Sequence, residues 1–299
     1  MSDREKSYRE NLPKVRAMWH LLETVHAVVY FAPEVTAAYE HVGLRGFWRG
    51  YFAGRAAPLG PAPAEVVTAA FFNFHPDMTA RAVPEVWQLV SPAEAIAARL
   101  AGVDAALTRL LDDTTRQSAD LADAADLAEQ AVGGCSTAGR TFFATHLAIP
   151  WPQPAHLRLW HAATLLREHR GDGHIAANLA LGFDGLATLV TGCASGALPR
   201  ESIQPHRGWS DGQWADAERA LTDAGVLDGD GHLPAEGRAR RQRVEDVTDR
   251  LASEPWNHLG ADRTDRLRQL IEPVAATIAD SATIPYPNPM ALPHLQDRS

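Results

Sequence analysis

The sequence predicts a mainly α-helical protein written as two tandem copies of one unit. Three observations carry this. Apolar residues recur at helical spacing over most of the chain. Four segments match four later ones, in the same order and at a nearly constant offset. The composition, 45% hydrophobic and 22% charged, supplies a core of ordinary globular size.

The matches are specific. "RAMWHLLE" (16–23) aligns with "LRLWHAAT" (157–164), setting Trp19 against Trp160. "VGLRGFWRGYFAGRAAPLG" (42–60) aligns with "LGFDGLATLVTGCASGALP" (181–199), setting Gly43 against Gly182 and Gly46 against Gly185. "SPAEAIAARLAGVDAALTRLL" (91–111) aligns with "LPAEGRARRQRVEDVTDRLA" (233–252), and "IPWPQPAHL" (149–157) with "IPYPNPMALPHL" (284–295). The offsets stay between 135 and 142 residues. One such match is noise, but an ordered series is a repeat. The expected units are 14–153 and 154–295.

The second copy shows its elements more clearly. Pro154 opens a helix over 155–170 with Leu157, Trp160 and Leu165 on one stripe. Gly171 and Gly173 are expected to break it, and a further helix covers 174–181. Gly182 ends that helix, and Asp184 starts another near 184–194. Residues 196–208 read as a Gly/Pro-containing loop. Ser210 caps a helix that carries Trp214, Ala217 and Leu221 inward. "LDGDGHL" (227–233) reads as a small hairpin, and Pro234 opens a long helix. In the first copy the equivalent of the 211–224 helix is "HPDMTARAVPEVWQLV" (75–90), which Pro84 should cut short.

The stretch "ALTDAGVLDGDGHLPAEGRARRQRVEDVTDRLA" (220–252) resembles the winged helix of the multiple-antibiotic-resistance-regulator type. It matches the end of the recognition helix, the wing and the dimerisation helix. The resemblance is good over 209–252, looser over the rest of the second copy, and reaches the first copy only through the second. The tandem layout also resembles an actinobacterial helix-turn-helix family, in keeping with an alanine-rich, Arg-over-Lys composition. Such regulators act as dimers of subunits about one copy long. The resemblance therefore implies tandem winged-helix units forming a single-chain pseudo-dimer, for which a monomer suffices. The first copy has a degenerate recognition helix and wing.

The resemblance implies DNA as a partner, and the charges oppose it. Net charge is −9, which gives no general attraction to phosphate. The 211–224 segment carries Asp211, Asp216, Glu218 and Asp223 against a single Arg219, and its wing holds Asp228 and Asp230. Arg238, Arg240, Arg241 and Arg243 read as a solvated helix face partnered by Glu245, Asp246 and Asp249. Arg45, Arg49 and Arg55 interleave with Phe47, Trp48, Tyr51 and Phe52 as core aromatics with basic edges. DNA binding is expected in weakened form.

The copies diverge most where the second has Arg167, Glu168, His169, Arg170, Asp172 and His174. There the first has His26, Tyr30 and Glu34 at helical spacing. Facing each other across a pseudo-dimer, these segments would give a polar wall and an aromatic wall around a small-molecule site. Phe71, Asn73 and Phe74 would add to the aromatic wall. Arg167 or Arg170 would hold an anionic group, and His169, Asp172 and His174 would offer hydrogen bonds.

The expected function is small-molecule sensing between the copies. The alternative is an enzyme of specialised metabolism on the same scaffold, working with a metal, with haem or without a cofactor, and using the cluster at 167–174. His169, Asp172 and His174 are residue types that hold zinc or iron, yet no defined metal motif is present, and the sequence leaves the cofactor unknown. Nucleotide-binding and hydrolase signatures are missing. Cys135 and Cys193 have no adjacent base and form no framework, which fits a reducing cytoplasm. The charged start MSDREKSYRE is not a secretory signal. No apolar run reaches membrane length, so no membrane partner is expected.

Overall fold

The computed structural model describes the backbone of residues 3–297 and the side chains of 14–296. It is mainly helical, and the described residues form no strand. The N-terminal half starts with α1 (Asp3–Phe31), which Pro33 separates from α2 (Pro33–His41). Then come α3 (Phe47–Ala56), α4 (Ala64–Phe71), α5 (Pro76–Ala80), α6 (Val86–Leu89), α7 (Pro92–Leu110), α8 (Asp113–Arg116), α9 (Ala119–Val132) and α10 (Thr141–Leu147). The C-terminal half has α11 (Ala155–Ala180), α12 (Gly185–Ala194), α13 (Arg200–Arg207), α14 (Asp211–Asp223), α15 (Ala235–Leu251), α16 (Glu254–Leu259) and α17 (Ala261–Asp280).

The long helices interlock. α1 packs on α11; α9 packs on α11, while α17 packs on α1; α9 and α17 also meet. Within each half the long C-terminal partner returns to the first helices, α7 onto α2 and α15 onto α11. The main core follows this bundle and buries Met18, Phe52, Leu107, Phe142, Phe143 and Trp160 almost completely. A smaller core lies under α12–α14, around Phe183, Leu189, Trp214, Leu221 and Val244. Complete burial of one such side chain stabilises by roughly 1.5–3 kcal/mol. The Ser210 hydroxyl accepts from the Gln213 N–H, the Gln213 side chain accepts in return, and this cap adds about 1 kcal/mol to α14.

Three expectations are corrected. α11 is one unbroken helix through Gly171 and Gly173. A helical glycine costs about 1 kcal/mol, less than the burial of Trp160, Leu165 and Ala177 on the same helix returns. Gly173 is there for closeness: a Cβ would lie 2.8 Å from Arg140 Nη1 and 3.1 Å from Leu251 Cβ. The 196–208 loop contains α13, which holds Pro205 inside it and ends at left-handed Gly208. The hairpin at 227–233 is only a tight turn. Asp228 Oδ1 accepts from the N–H groups of Asp230 and His232, and Asp228 N donates to His232 O. In the N-terminal half the segment carrying Pro84 splits into α5 and α6, as its proline requires.

Candidate functional site

A cavity of about 660 Å³ lies between the two halves and is lined by both. One wall is aromatic. α3 supplies Phe47, Trp48 and Tyr51, and the end of α4 and the loop after it supply Phe71 and Phe74. Tyr51 lies 5.7 Å from Phe74 and 5.9 Å from Phe71, centroid to centroid, and Trp48 lies 6.1 Å from Phe74, all within the range of favourable ring contact. α3 can present these rings on one face because Gly50 and Gly54 on another receive Tyr39, whose ring leaves no room for a Cβ.

The opposite wall comes from the middle of α11. Glu168 is 1% exposed and lies between two guanidinium groups. Arg167 Nη1 donates to Glu168 Oε1 at 2.6 Å, and Arg55 Nη2 to Oε2 at 3.4 Å. Burial alone would raise the Glu168 pKa, but Arg167 and Arg55 more than offset this and keep it ionised. Glu23 stands 3.5 Å from Arg167 Nε. Arg170 reaches Asp249 at 3.2 Å and Glu245 at 3.4 Å, and its guanidinium sits 4.3 Å from the centre of the Trp19 ring. Asp172 accepts from the N–H of Phe143 at 2.9 Å, and burial raises its pKa. Burial pushes His174 down to about 4, while its Nδ1 meets Thr248 Oγ1 at 3.0 Å.

Of the residues expected to build a site, Tyr30, Phe71, Asn73, Phe74, Arg167, Glu168, Arg170, Asp172 and His174 line this cavity. The other three do not. His26 is buried behind Tyr30, with Nε2 3.2 Å from the Tyr30 hydroxyl and Nδ1 2.9 Å from Thr164 Oγ1. His169 is on the opposite face of α11, against Phe143 and Glu254. Glu34 pairs with Arg109 on the outside, since Pro33 starts a new helix and ends the spacing inherited from His26. Arg55, Arg207 and Trp48 were missed as site residues. Arg55 and Trp48 read as helix-core residues, and Arg207 fell in a supposed loop.

His169, Asp172 and His174 do not converge to metal-ligand distance. Among the described residues, the group that does is Asp228, Asp230 and His232 on the exposed turn, where Asp228 already accepts two backbone N–H groups. Burial pushes Cys135 to about 12 and Cys193 to about 11, so both thiols stay protonated at neutral pH.

The segment after α4 joins the cavity to α13 and α14. Phe72 has φ 64°, and Asn73 N donates to Phe71 O, forming a strained γ-turn. Trp209 Nε1 donates to Asn73 O at 3.0 Å, His75 N donates to Arg207 O at 2.8 Å, and His75 Nε2 meets Gln213 Nε2 at 2.8 Å. A Cβ on Gly185 would lie 2.1 Å from Phe72 O, so α12 also closes on the turn. α13, the turn through Gly208 and α14 make a helix–turn–helix in the literal sense.

A family model described as a helix-turn-helix family matches residues 15–285. The chain belongs to this helix-turn-helix family. No curated protein and no solved structure matches it. Membership supports a DNA-binding, regulator-like protein. In this helix-turn-helix protein the exposed face of α14 carries Asp211, Asp216 and Asp223, and its Arg219 is paired with Asp216. Of the α15 arginines, Arg238 donates to Leu233 O and Arg240 to Ala224 O beside the turn. The acidic face of α14 repels a phosphate backbone.

Proposed function

We propose that this helix-turn-helix protein is a small-molecule sensor. Its ligand binds in the cavity between two tandem winged-helix-like units, and its DNA contacts are weak. One observation carries the reading. The Phe71–His75 segment is at once a cavity wall and the surface on which α13 and the first turn of α14 are hydrogen-bonded. A ligand pressing on Phe71 and Phe74 acts on a strained turn, whose shift would move Trp209 and Gln213. The exchange of helices between halves supports a pseudo-dimer, because α9 relates to α11 as α17 does to α1. The enzyme reading has less support: His169 faces away from the cavity, and His174 is held neutral on Thr248.

The test uses phenylnaphthylamine, an uncharged fluorescent two-ring probe. The expected result is saturable binding at one site per chain, abolished by Ala70→Trp, with slower amide exchange at 210–214. The bound form should also differ from the free form in its retention of random-sequence DNA at low salt. Probe binding without any change at 210–214 would refute sensing, and failure of both this probe and its sulfonated analogue to bind would refute the ligand site.

A further inference from the structure

Five arginines line the cavity: Arg55, Arg167, Arg170, Arg207 and Arg241. Four have carboxylate partners. Arg55 and Arg167 share Glu168, Arg170 has Asp249 and Glu245, and Arg241 lies 3.7 Å from Glu245. Arg207 differs. Among the described residues no carboxylate lies within 4 Å of it. Its Nη2 donates to the carbonyl of Pro289 at 3.4 Å, close to the limit for a hydrogen bond, and its Nε is buried without a partner. Its guanidinium sits 4.5 Å from the centre of the Phe74 ring. Burial lowers its pKa, but an arginine remains charged at neutral pH. A half-buried cation without a counterion is costly. A cation of this kind facing an open cavity of ligand size is a vacant half of an ion pair.

We propose that Arg207 anchors the acid group of the ligand, and that the cavity takes a flat, multi-ring organic anion. This rests on the ligand-binding reading above and replaces Arg167 and Arg170 as the anion-holding residues, since Glu23, Glu168, Glu245 and Asp249 already neutralise those two. The planar guanidinium suits a carboxylate or sulfonate. Phe47, Trp48 and Tyr51 line the same cavity and supply aromatic surface for the rings attached to that acid. The volume is in the range that buries drug-sized ligands. The Pro289 carbonyl is a weak competitor, so an anion would displace it, and the Tyr286–Leu292 segment would lose one tie to α13.

The experiment compares two probes on the full chain by fluorescence titration: anilinonaphthalene sulfonate, and phenylnaphthylamine, which has the same rings without the acid. In the natural protein the sulfonate should bind about tenfold or more tightly than the amine. Arg207→Gln should weaken the sulfonate by about the same factor and leave the amine unchanged. Arg207→Lys keeps the charge but loses the fork, so it should weaken the sulfonate by a smaller factor; it serves if the glutamine variant does not fold. Ala70→Trp should abolish both, which separates the cavity from adventitious surface binding. Equal affinity for both probes, or a sulfonate affinity indifferent to Arg207→Gln, overturns the anchor and leaves the ligand site standing. Failure of both probes to bind overturns both.

Discussion

Lowering the pH from 7.5 to 5.5 should destabilise this protein sharply, and the cause is its buried histidines. His26, His146, His161 and His169 are each 2% exposed or less. Burial lowers the pKa of all four: His26 well below 6.5, His146 to about 3, and His161 and His169 to about 4. Nearby arginines add to the effect: Arg167 at His26, Arg99 at His146 and His161, and Arg140 at His169. The imidazoles are neutral in the fold, whereas an unfolded chain takes up their protons near pH 6.5. The unfolded state thus binds more protons below that value, and stability falls as pH falls, levelling off only near the folded pKa values. Each histidine accounts for about 1 kcal/mol between pH 6.5 and 5.5, so these four and His174, which burial also holds near 4, together remove about 5 kcal/mol. That is a large share of a typical total of about 5–15 kcal/mol. Urea unfolding at several pH values should show a falling midpoint with an unchanged slope. His146→Asn keeps a donor for the Phe142 carbonyl, which His146 Nδ1 contacts at 2.9 Å, and should make the dependence shallower by about one proton. A loss below about 1 kcal/mol over this range would refute the argument.

Other consequences can be checked singly. Glu168→Gln leaves Arg55 with no carboxylate partner and should cost about 3–5 kcal/mol in urea unfolding. Gly237→Ala would set a Cβ 2.0 Å from the Val226 carbonyl oxygen, so it should lower the melting temperature although alanine is the better helix former. Native Cys135 and Cys193 should react with a thiol reagent at pH 8 far more slowly than in the unfolded chain, because burial keeps both protonated. Asp216→Lys with Asp223→Lys should raise salt-sensitive affinity for random-sequence DNA several-fold or more in a titration at low salt, and an unchanged affinity would refute a DNA contact by α14.

The helices were legible wherever local chemistry decides them. Ser210, Asp184, Pro154 and Pro234 marked their helix starts, and Pro84 marked the break in the N-terminal half. The structure departs from the sequence reading where distant packing decides. Gly171 and Gly173 look like a break until Arg140 and Leu251 are seen pressed against the helix. Pro205 looks like loop until α13 is seen capped by left-handed Gly208. The polar stretch at 167–174 was visible as dense charge, but not which charges were already matched. Glu23 and Glu245 are far from it in the chain, so the two arginines that seemed free were the neutralised ones. Arg207, the unmatched one, sat in a segment with no periodic signal to mark it.

The crossing of α9 onto α11 and of α17 onto α1 makes the chain a clasp rather than two beads on a string. Late in each half comes a helix that packs on the longest helix of the other half. A protease cutting the link near Leu147 and Gln153, where both residues are exposed, would leave two fragments still gripping each other. Either fragment made alone would leave a long apolar stripe of α1 or α11 uncovered and should aggregate. Mixed from the unfolded state, the two should recover a whole protein, and at a rate that depends on concentration.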